Sequence, residues 1–314
     1  MRVFVAGATG AIGRRFVPLL VARGHDVAAM TRSPGKAHDL RAVGARPLVA
    51  DAFDRKAVSD AVVGWEPEVV VHQLTALSHL DNLRRLDEEF ALTNRLRTEG
   101  TDNLLAAAKA GGAGRFVAQS YAGWPYAPEG GPVKAEDAPL DPEPPKHMRR
   151  SLDAIRYLEG AVLGSKELEG VVLRYGSFYG PGTSIAHDGD IANMVRRRRF
   201  PVVGDGAGLW SFIHIDDAAT ATALAVESAA PGVYNIVDDD PAPVAEWLPQ
   251  LARALDAKPP LRIPTWLGRL AAGAVGVSLM TRIRGASNAK AKGALGWEPR
   301  YDTWRRGFFQ LALG

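Results

Sequence analysis

The stretch "RVFVAGATGAIGRRFVPLLVARG", residues 2–24, decides the fold. "RVFVAG" (2–7) reads as a strand, and "AIGRRFVPLLVARG" (11–24) as a helix with apolar residues at helical spacing, ending at Gly24. Pro18 lies inside that helix and is expected to kink it. Gly7, Gly10 and Gly13 fall where strand gives way to helix. The chain must turn sharply there, bring its backbone close to a pyrophosphate, and pack the helix onto the strand. Each step favours a missing side chain. Free N–H groups and the positive helix end favour phosphate charge. Gly7, Ala8, Thr9, Gly10, Ala11, Ile12 and Gly13 are therefore expected to cradle a dinucleotide, the bland alternative being a plain glycine-rich turn.

Working outward, "HDVAAM" (25–30), "ARPLVA" (45–50), "EVVVHQL" (68–74), "RFVAQS" (115–120) and "GVVLRYG" (170–176) read as further strands, with a long Leu/Ala-rich helix over 92–110. Near-continuous apolar strands separated by helices imply a parallel sheet covered on both faces. The expected class is α/β: a Rossmann-type doubly wound parallel sheet with a smaller C-terminal α+β substrate domain. Residues 1–176 form the expected dinucleotide-binding domain, with 214–240 returning to it. Residues 177–213 and 241–314 form the expected substrate-binding domain. The Pro- and Gly-dense segment 124–145 is too long for an ordinary connection and reads as an active-site loop.

Composition narrows the functional classes. Over 314 residues the formal charge is only +3, which gives no reason to expect a nucleic-acid partner. There is no cysteine, so disulfides, thiolate catalysis and cysteine-held metals are excluded, and no metal site is expected. No leader pattern precedes the first strand, and "WLGRLAAGAVGVSLM" from Trp266 is interrupted by Arg269 and too short for a bilayer. The expectation is a cytoplasmic protein acting on a small molecule, away from membranes. The Trp266 stretch reads as a buried or partner-facing helix.

The end of the second strand bears on cofactor choice. Thr31, Arg32 and Ser33 stand where an NAD-preferring site has an acid for the ribose hydroxyls. A guanidinium and hydroxyls can hydrogen-bond a 2′-phosphate that a carboxylate would repel. NADP is favoured. NAD stays open, because Arg32 can equally be a solvated surface arginine.

With these motifs in hand, the chain resembles the extended short-chain dehydrogenase/reductase superfamily, of the NAD-dependent epimerase/dehydratase type. Gly7, Gly10 and Gly13 match its glycine motif, and "VADAFD" its Asp-hydrophobe, which places Asp51 and Ala52 near the adenine. "VVVHQLTA" resembles its "HLAA" segment, placing Leu74, Thr75 and Ala76 along the cofactor. "RTEGTDNLLAAAKAGGAGRFV" resembles its Asn-x-x-Gly-Thr helix, but Arg97 stands at the asparagine, with Asn94 one turn earlier. "VVLRYGSFYGPG" is close to its Arg-x-x-Asn-x-Tyr-Gly-Pro-Gly segment, bringing Tyr175, Gly176 and Ser177 to the cofactor, with Ser177 at the usual Asn. Family members are often dimers, so the resemblance allows a homodimer.

The resemblance also implies a Ser or Thr after the fifth strand and a Tyr-x-x-x-Lys pair on the next helix, to move the substrate's proton. In "HMRRSLDAIRYLEG" (147–160), Glu159 matches the glutamate that follows the lysine by one turn. That alignment puts Ser151 at the tyrosine and Ile155 at the lysine, and no Tyr-x-x-x-Lys occurs in the chain. Two substitutes are open. Ser120 and Tyr121 leave the fifth strand beside the expected nicotinamide, where Tyr121 either donates a proton or packs the pocket wall. His147 precedes Ser151 by one turn if the helix starts after Pro145, and is either an acid–base group or an exposed first-turn histidine.

Relatives acting on nucleotide sugars often carry Arg-Asp-Phe where this chain has Trp210-Ser211-Phe212. Loss of that cation and gain of an indole favour an apolar or aromatic substrate. Trp124, Phe178, Tyr179 and Trp210 are the expected substrate contacts, unless they are ordinary core and loop packing. The expected activity is an NADP(H)-dependent oxidoreductase of atypical extended type, acting on a small apolar or aromatic carbonyl or hydroxyl compound or on an activated carbon. A non-redox epimerase, dehydratase or cyclase, and a non-catalytic NADP sensor, are the alternatives.

Overall fold

In the computed structural model, which describes residues 1–77 and 82–311, seven strands form one sheet: β1 Arg2–Ala6, β2 Asp26–Thr31, β3 Arg46–Val49, β4 Val69–His72, β5 Arg115–Tyr121, β6 Glu169–Tyr175 and β7 Gly232–Ile236. Their order across the sheet is β7-β6-β5-β4-β1-β2-β3, and every pairing is parallel. The chain winds outward from β1 in both directions, so the strand order reverses between β1 and β4. The crevice at the carboxyl ends of these two strands is where such sheets bind ligands. This is a Rossmann-type doubly wound α/β fold.

The period-2 alternation of β1 explains the layering. Val3 and Val5 pack on one face with Phe16 and Leu20 of helix Gly13–Ala22 and with Ala218 and Ala221 of helix Ile215–Ser228. Phe4 and Ala6 pack on the other with Val58 and Val62 of Arg55–Val63, Leu104 of Thr101–Ala110, and Leu158 and Val162 of Arg149–Leu163. Strand β7 and helix Ile215–Ser228 thus lie in the sheet layer, at its edge and on its face. A separate aromatic core holds Tyr179, Phe212, Trp247, Trp304 and Phe308, built around helices Val244–Ala254 and Trp304–Gln310. The last three residues of the expected 241–314 segment lie outside the described residues.

Helix Gly13–Ala22 is continuous through Pro18, whose missing N–H costs one hydrogen bond without ending the helix. Two local outcomes differ from the sequence expectations. The long helix over 91–110 is not uniform, because residues Leu96–Gly100 form a π-helical turn between Ala91–Arg95 and Thr101–Ala110. An extra residue in the turn rotates the side chains that follow. The Trp266 stretch, within helix Thr265–Thr281, is divided at Gly273: Trp266 and Leu270 are exposed before it, and Val275 and Met280 are buried after it. Among the described residues, no helix is long and apolar enough to cross a membrane.

Candidate active site

The turn after β1 is shaped by two kinds of constraint. Gly7 has φ +95°, and a Cβ there would sit 2.5 Å from the Gln73 carbonyl oxygen. A Cβ on Gly13 would sit 2.4 Å from the carbonyl oxygens of Gly7 and Ala8. Packing of the protein against itself therefore accounts for both. Gly10 is different: a Cβ there would meet only the Gly7 carbonyl oxygen, at 3.3 Å, and otherwise open space. The protein's own packing therefore leaves space beside Gly10. The helix that follows has no side-chain cap on its first-turn N–H groups and no acidic residue there. An open cradle at a helix N-terminus without a side-chain cap fits a pyrophosphate.

At the tip of β2, the Thr31 hydroxyl accepts a hydrogen bond from the Ser33 N–H at 3.2 Å, fixing the turn. Arg32 is exposed and makes no hydrogen bond or ion pair among the described residues. Asp51 accepts from the Phe53 N–H at 2.9 Å, and Asn103 donates to the Ala52 carbonyl at 2.9 Å. Leu74 N–H donates to His72 Nδ1 at 3.2 Å and Ala76 N–H to Thr93 Oγ1 at 3.0 Å, so the half-buried segment Leu74, Thr75, Ala76 is held along the β4 end. Tyr175 is fully buried, its hydroxyl bonded to Gln73 Nε2 at 3.0 Å and Thr222 Oγ1 at 2.7 Å. Gly176 packs against the Ser211 carbonyl, which would lie 2.7 Å from a Cβ there.

His72 lies beneath this crevice. Its Nε2 donates to the Leu96 carbonyl at 3.3 Å, and burial pushes the imidazole down to about 4. The folded value lies below the unfolded value of about 6.5. The neutral form therefore stabilises the protein fully above pH ~6.5, and that contribution is lost as the pH falls toward 4. The amount is of order 3 kcal/mol. Melting temperature is expected to fall between pH 6.5 and 4 with a component that His72→Asn removes. Superimposable pH profiles for the two proteins would contradict the assignment.

At the carboxyl end of β5, Ser120 donates to Glu159 Oε1 at 2.6 Å, and the Tyr121 hydroxyl is 3.1 Å from Ser177 Oγ. Burial pushes the Tyr121 phenol up, while the Ser177 contact and the Arg97 charge pull it down. Ser151 is fully buried and already engaged. It donates to Asp87 Oδ1 at 2.7 Å, accepts from Asn94 Nδ2 at 3.1 Å, and its N–H also donates to Asp87. Ile155 is fully buried among Leu86, Trp124, Met148 and Leu152. Neither residue presents a proton to the crevice.

The expected alignment of His147 with Ser151 is corrected. Residues Lys146–Met148 form a 3-10 turn in which His147 has φ −86° and ψ 15°, and the α-helix begins only at Arg149. That turn takes His147 off the helix stripe and leaves it exposed. Of the aromatic residues, Trp124 lies 6.3 Å ring to ring from Tyr121, and half-buried Trp210 packs against both the aromatic core and the Ile155 cluster. Phe178 is half-buried against Tyr175 at 5.5 Å. Tyr179 is fully buried between His214 and Phe308 and offers no exposed surface.

Two features were not singled out in the sequence as site residues. Glu159 binds Arg174 through two contacts, at 2.6 and 2.8 Å, and Arg174 reaches the Tyr126 hydroxyl at 3.1 Å, which donates to Asn235 at 2.5 Å. This network ties the 149–163 helix to β5, β6, β7 and the 124–145 loop. The second is Arg97, in the π-helical turn, which is 4% exposed and has an Nη1 without a partner among the described residues. Burial pulls its guanidinium down to about 10, against the opposing pull of Tyr121 and Glu159. Its place at the asparagine position was the available signal.

With this geometry in view, comparison with known proteins is informative. A model of the NAD dependent epimerase/dehydratase family matches residues 3–237. A Streptomyces protein, 3-diazoavenalumate denitrifying reductase, is 49% identical over 98% of this chain and 99% of its own. A 2-alkyl-3-oxoalkanoate reductase from Stenotrophomonas maltophilia is 30% identical over 82% of this chain and 76% of its own. Among solved structures, UDP-glucose 4-epimerase from Thermus thermophilus in complex with NAD is 26% identical, with TM-score 0.74 over 99% of this chain and 98% of that one. A human epimerase family protein solved with NADPH shares the fold at TM-score 0.76 and 23% identity, each chain covered in full. The chain belongs to the NAD-dependent epimerase/dehydratase family, within the extended short-chain dehydrogenases/reductases.

Proposed function

We propose that the protein is an NADP(H)-dependent reductase that replaces a leaving group on a small aromatic or conjugated molecule with hydrogen, and that the leaving group is dinitrogen from a diazo carbon. The observation that carries this reading is the absence of a proton relay on the Arg149–Leu163 helix: Ser151 is committed to Asp87 and Ile155 is hydrocarbon. Carbonyl reduction leaves an alkoxide that must be protonated, and loss of the general acid costs roughly 10²–10⁴-fold. Reduction of a diazonium-type carbon needs no such proton: R–N₂⁺ + H⁻ → R–H + N₂. The C–H bond forms, the C–N bond breaks, and its electron pair leaves with dinitrogen. The denitrifying relative, similar over nearly its whole length, supports the same chemistry.

Gly7 to Gly13 would hold the pyrophosphate, Asp51 and Ala52 the adenine, and Arg32 with Thr31 and Ser33 a 2′-phosphate. Leu74 to Ala76, Asn94, Tyr175, Gly176 and Ser177 would line the rest of the cofactor site. The bound dinucleotide would supply a hydride at the carboxyl ends of β4 and β5. Segments 177–213 and 241–311 would close the substrate side, with Trp124, Phe178 and Trp210 against an aromatic body. Calorimetric titration is expected to give NADPH a Kd at least about tenfold below that of NADH, because one charge-assisted contact is worth that much. Tighter NADH binding would contradict the Arg32 assignment.

A second reading, carbonyl reduction with Tyr121 as proton donor, is favoured by the position of its hydroxyl near Ser177. Tyr121→Phe separates the two. On a diazo substrate it is expected to lower kcat by less than about tenfold, whereas carbonyl reduction would lose about 10²–10⁴-fold. Loss of the larger size on the diazo compound would overturn the first reading.

A further inference from the structure

We propose that Arg97 supplies, from the π-helical turn, the cation that the Arg149–Leu163 helix lacks, and that its free guanidinium face holds an aromatic oxyanion of the substrate. The inference deepens the proposed reductase reading and rests on it for the aromatic body of the ligand.

A buried guanidinium without a partner is strongly unfavourable and is retained where something else pairs with it. Arg97 Nη1 is buried and has no hydrogen-bond partner among the described residues. The charges around it do not neutralise it. Glu159 already receives Arg174 at 2.6 and 2.8 Å and Ser120 at 2.6 Å. Asp87 accepts the N–H groups of Arg150 and Ser151 at the positive end of their helix. His72 is held neutral. The Arg97–Arg174–Glu159 group therefore carries one net positive charge.

The π-helical turn packs on the Arg149–Leu163 helix, and Arg97 lies close enough to Tyr121 and to Glu159 of that helix to feel their charge. Tyr121, Trp124 and Trp210 supply aromatic surface beside it. A guanidinium paired with an oxygen in conjugation with the reacting carbon keeps the oxygen anionic. The diazonium character then stays at that carbon, which explains how the site works without a proton donor.

The test uses the NADP⁺-loaded protein and 4-nitrophenol, at a pH below the probe's own pKa. The wild-type protein is expected to bind the probe as its phenolate, seen as growth of the phenolate absorption band on titration. Arg97→Met should weaken that binding by at least about tenfold and abolish the band. It should also keep or raise the melting temperature, because an unpaired buried charge has been removed. Arg97→Lys should restore part of the band. Probe bound as neutral phenol by the wild type, or an Arg97→Met protein that binds phenolate normally, would overturn the proposal. A lowered melting temperature with unchanged binding would do the same, since Arg97 would then be structural. 4-Nitrobenzoate as a second probe separates a phenolate from a carboxylate preference. Because none of these readouts requires turnover, phenolate binding without diazo reduction would leave the oxyanion site standing and defeat only the proposed reaction.

Discussion

Arg174→Ala is expected to lower stability by about 3–5 kcal/mol, or about 5–8 °C in melting temperature for a chain of this size. Arg174 and Glu159 are almost completely buried and face each other through two contacts. Burial disfavours the Arg174 cation, and the Glu159 carboxylate outweighs it. Removing the cation leaves a carboxylate inside the protein with, among the described residues, only the Ser120 hydroxyl as a side-chain donor. It also deprives the Tyr126 hydroxyl of a donor and frees the 124–145 loop from β6. The loss therefore has both an electrostatic part and a part from loosening the 124–145 loop. Lys56→Ala, which breaks a fully exposed pair with Asp60, is the control and should leave the melting temperature unchanged. Chemical denaturation of both variants checks the contrast, and equal effects would mean that the buried network is not holding the loop.

Gly13→Ala and Gly10→Ala are expected to fail in different ways. At Gly13 the new methyl would lie 2.4 Å from two carbonyl oxygens of the turn itself, so the helix must lift from the strand. Overpacking of this kind costs about 1–3 kcal/mol, and the displaced helix start should abolish measurable dinucleotide binding. At Gly10 the backbone is not left-handed and the methyl meets one atom at 3.3 Å. That variant should fold and melt like the wild type yet lose dinucleotide affinity by at least about tenfold, because its methyl occupies the space of a phosphate. Thermal melts and calorimetry on the same samples distinguish the two. Unchanged affinity in Gly10→Ala would place the pyrophosphate elsewhere.

The sheet was readable in the sequence because its strands are buried on both sides. Valine runs such as Val69, Val70 and Val71 leave little choice of environment, and Gly7 and Gly13 mark a turn that packs tightly against the protein itself. The chemistry was less readable. Asp87 lies 64 residues from Ser151, and nothing local in the sequence says that this hydroxyl is spoken for. The π-helical turn at Leu96–Gly100 inserts a residue without any glycine or proline inside it until its last position, so helical periodicity did not reveal where Arg97 points. Phe178 and Tyr179 are neighbours of opposite placement, one half-buried and one in the aromatic core, which composition cannot separate. His147 left its expected stripe because a 3-10 turn, not an α-turn, follows Pro145.

The most direct test of the central reading is isotopic. NADPH carrying deuterium at C4 of the nicotinamide is incubated with the protein and an aromatic diazo compound in ordinary water, with dinitrogen and product followed together. The account predicts one dinitrogen released per NADPH oxidised, and deuterium at the carbon that bore the diazo group. Solvent hydrogen at that carbon, or NADPH oxidation without dinitrogen release, would contradict it.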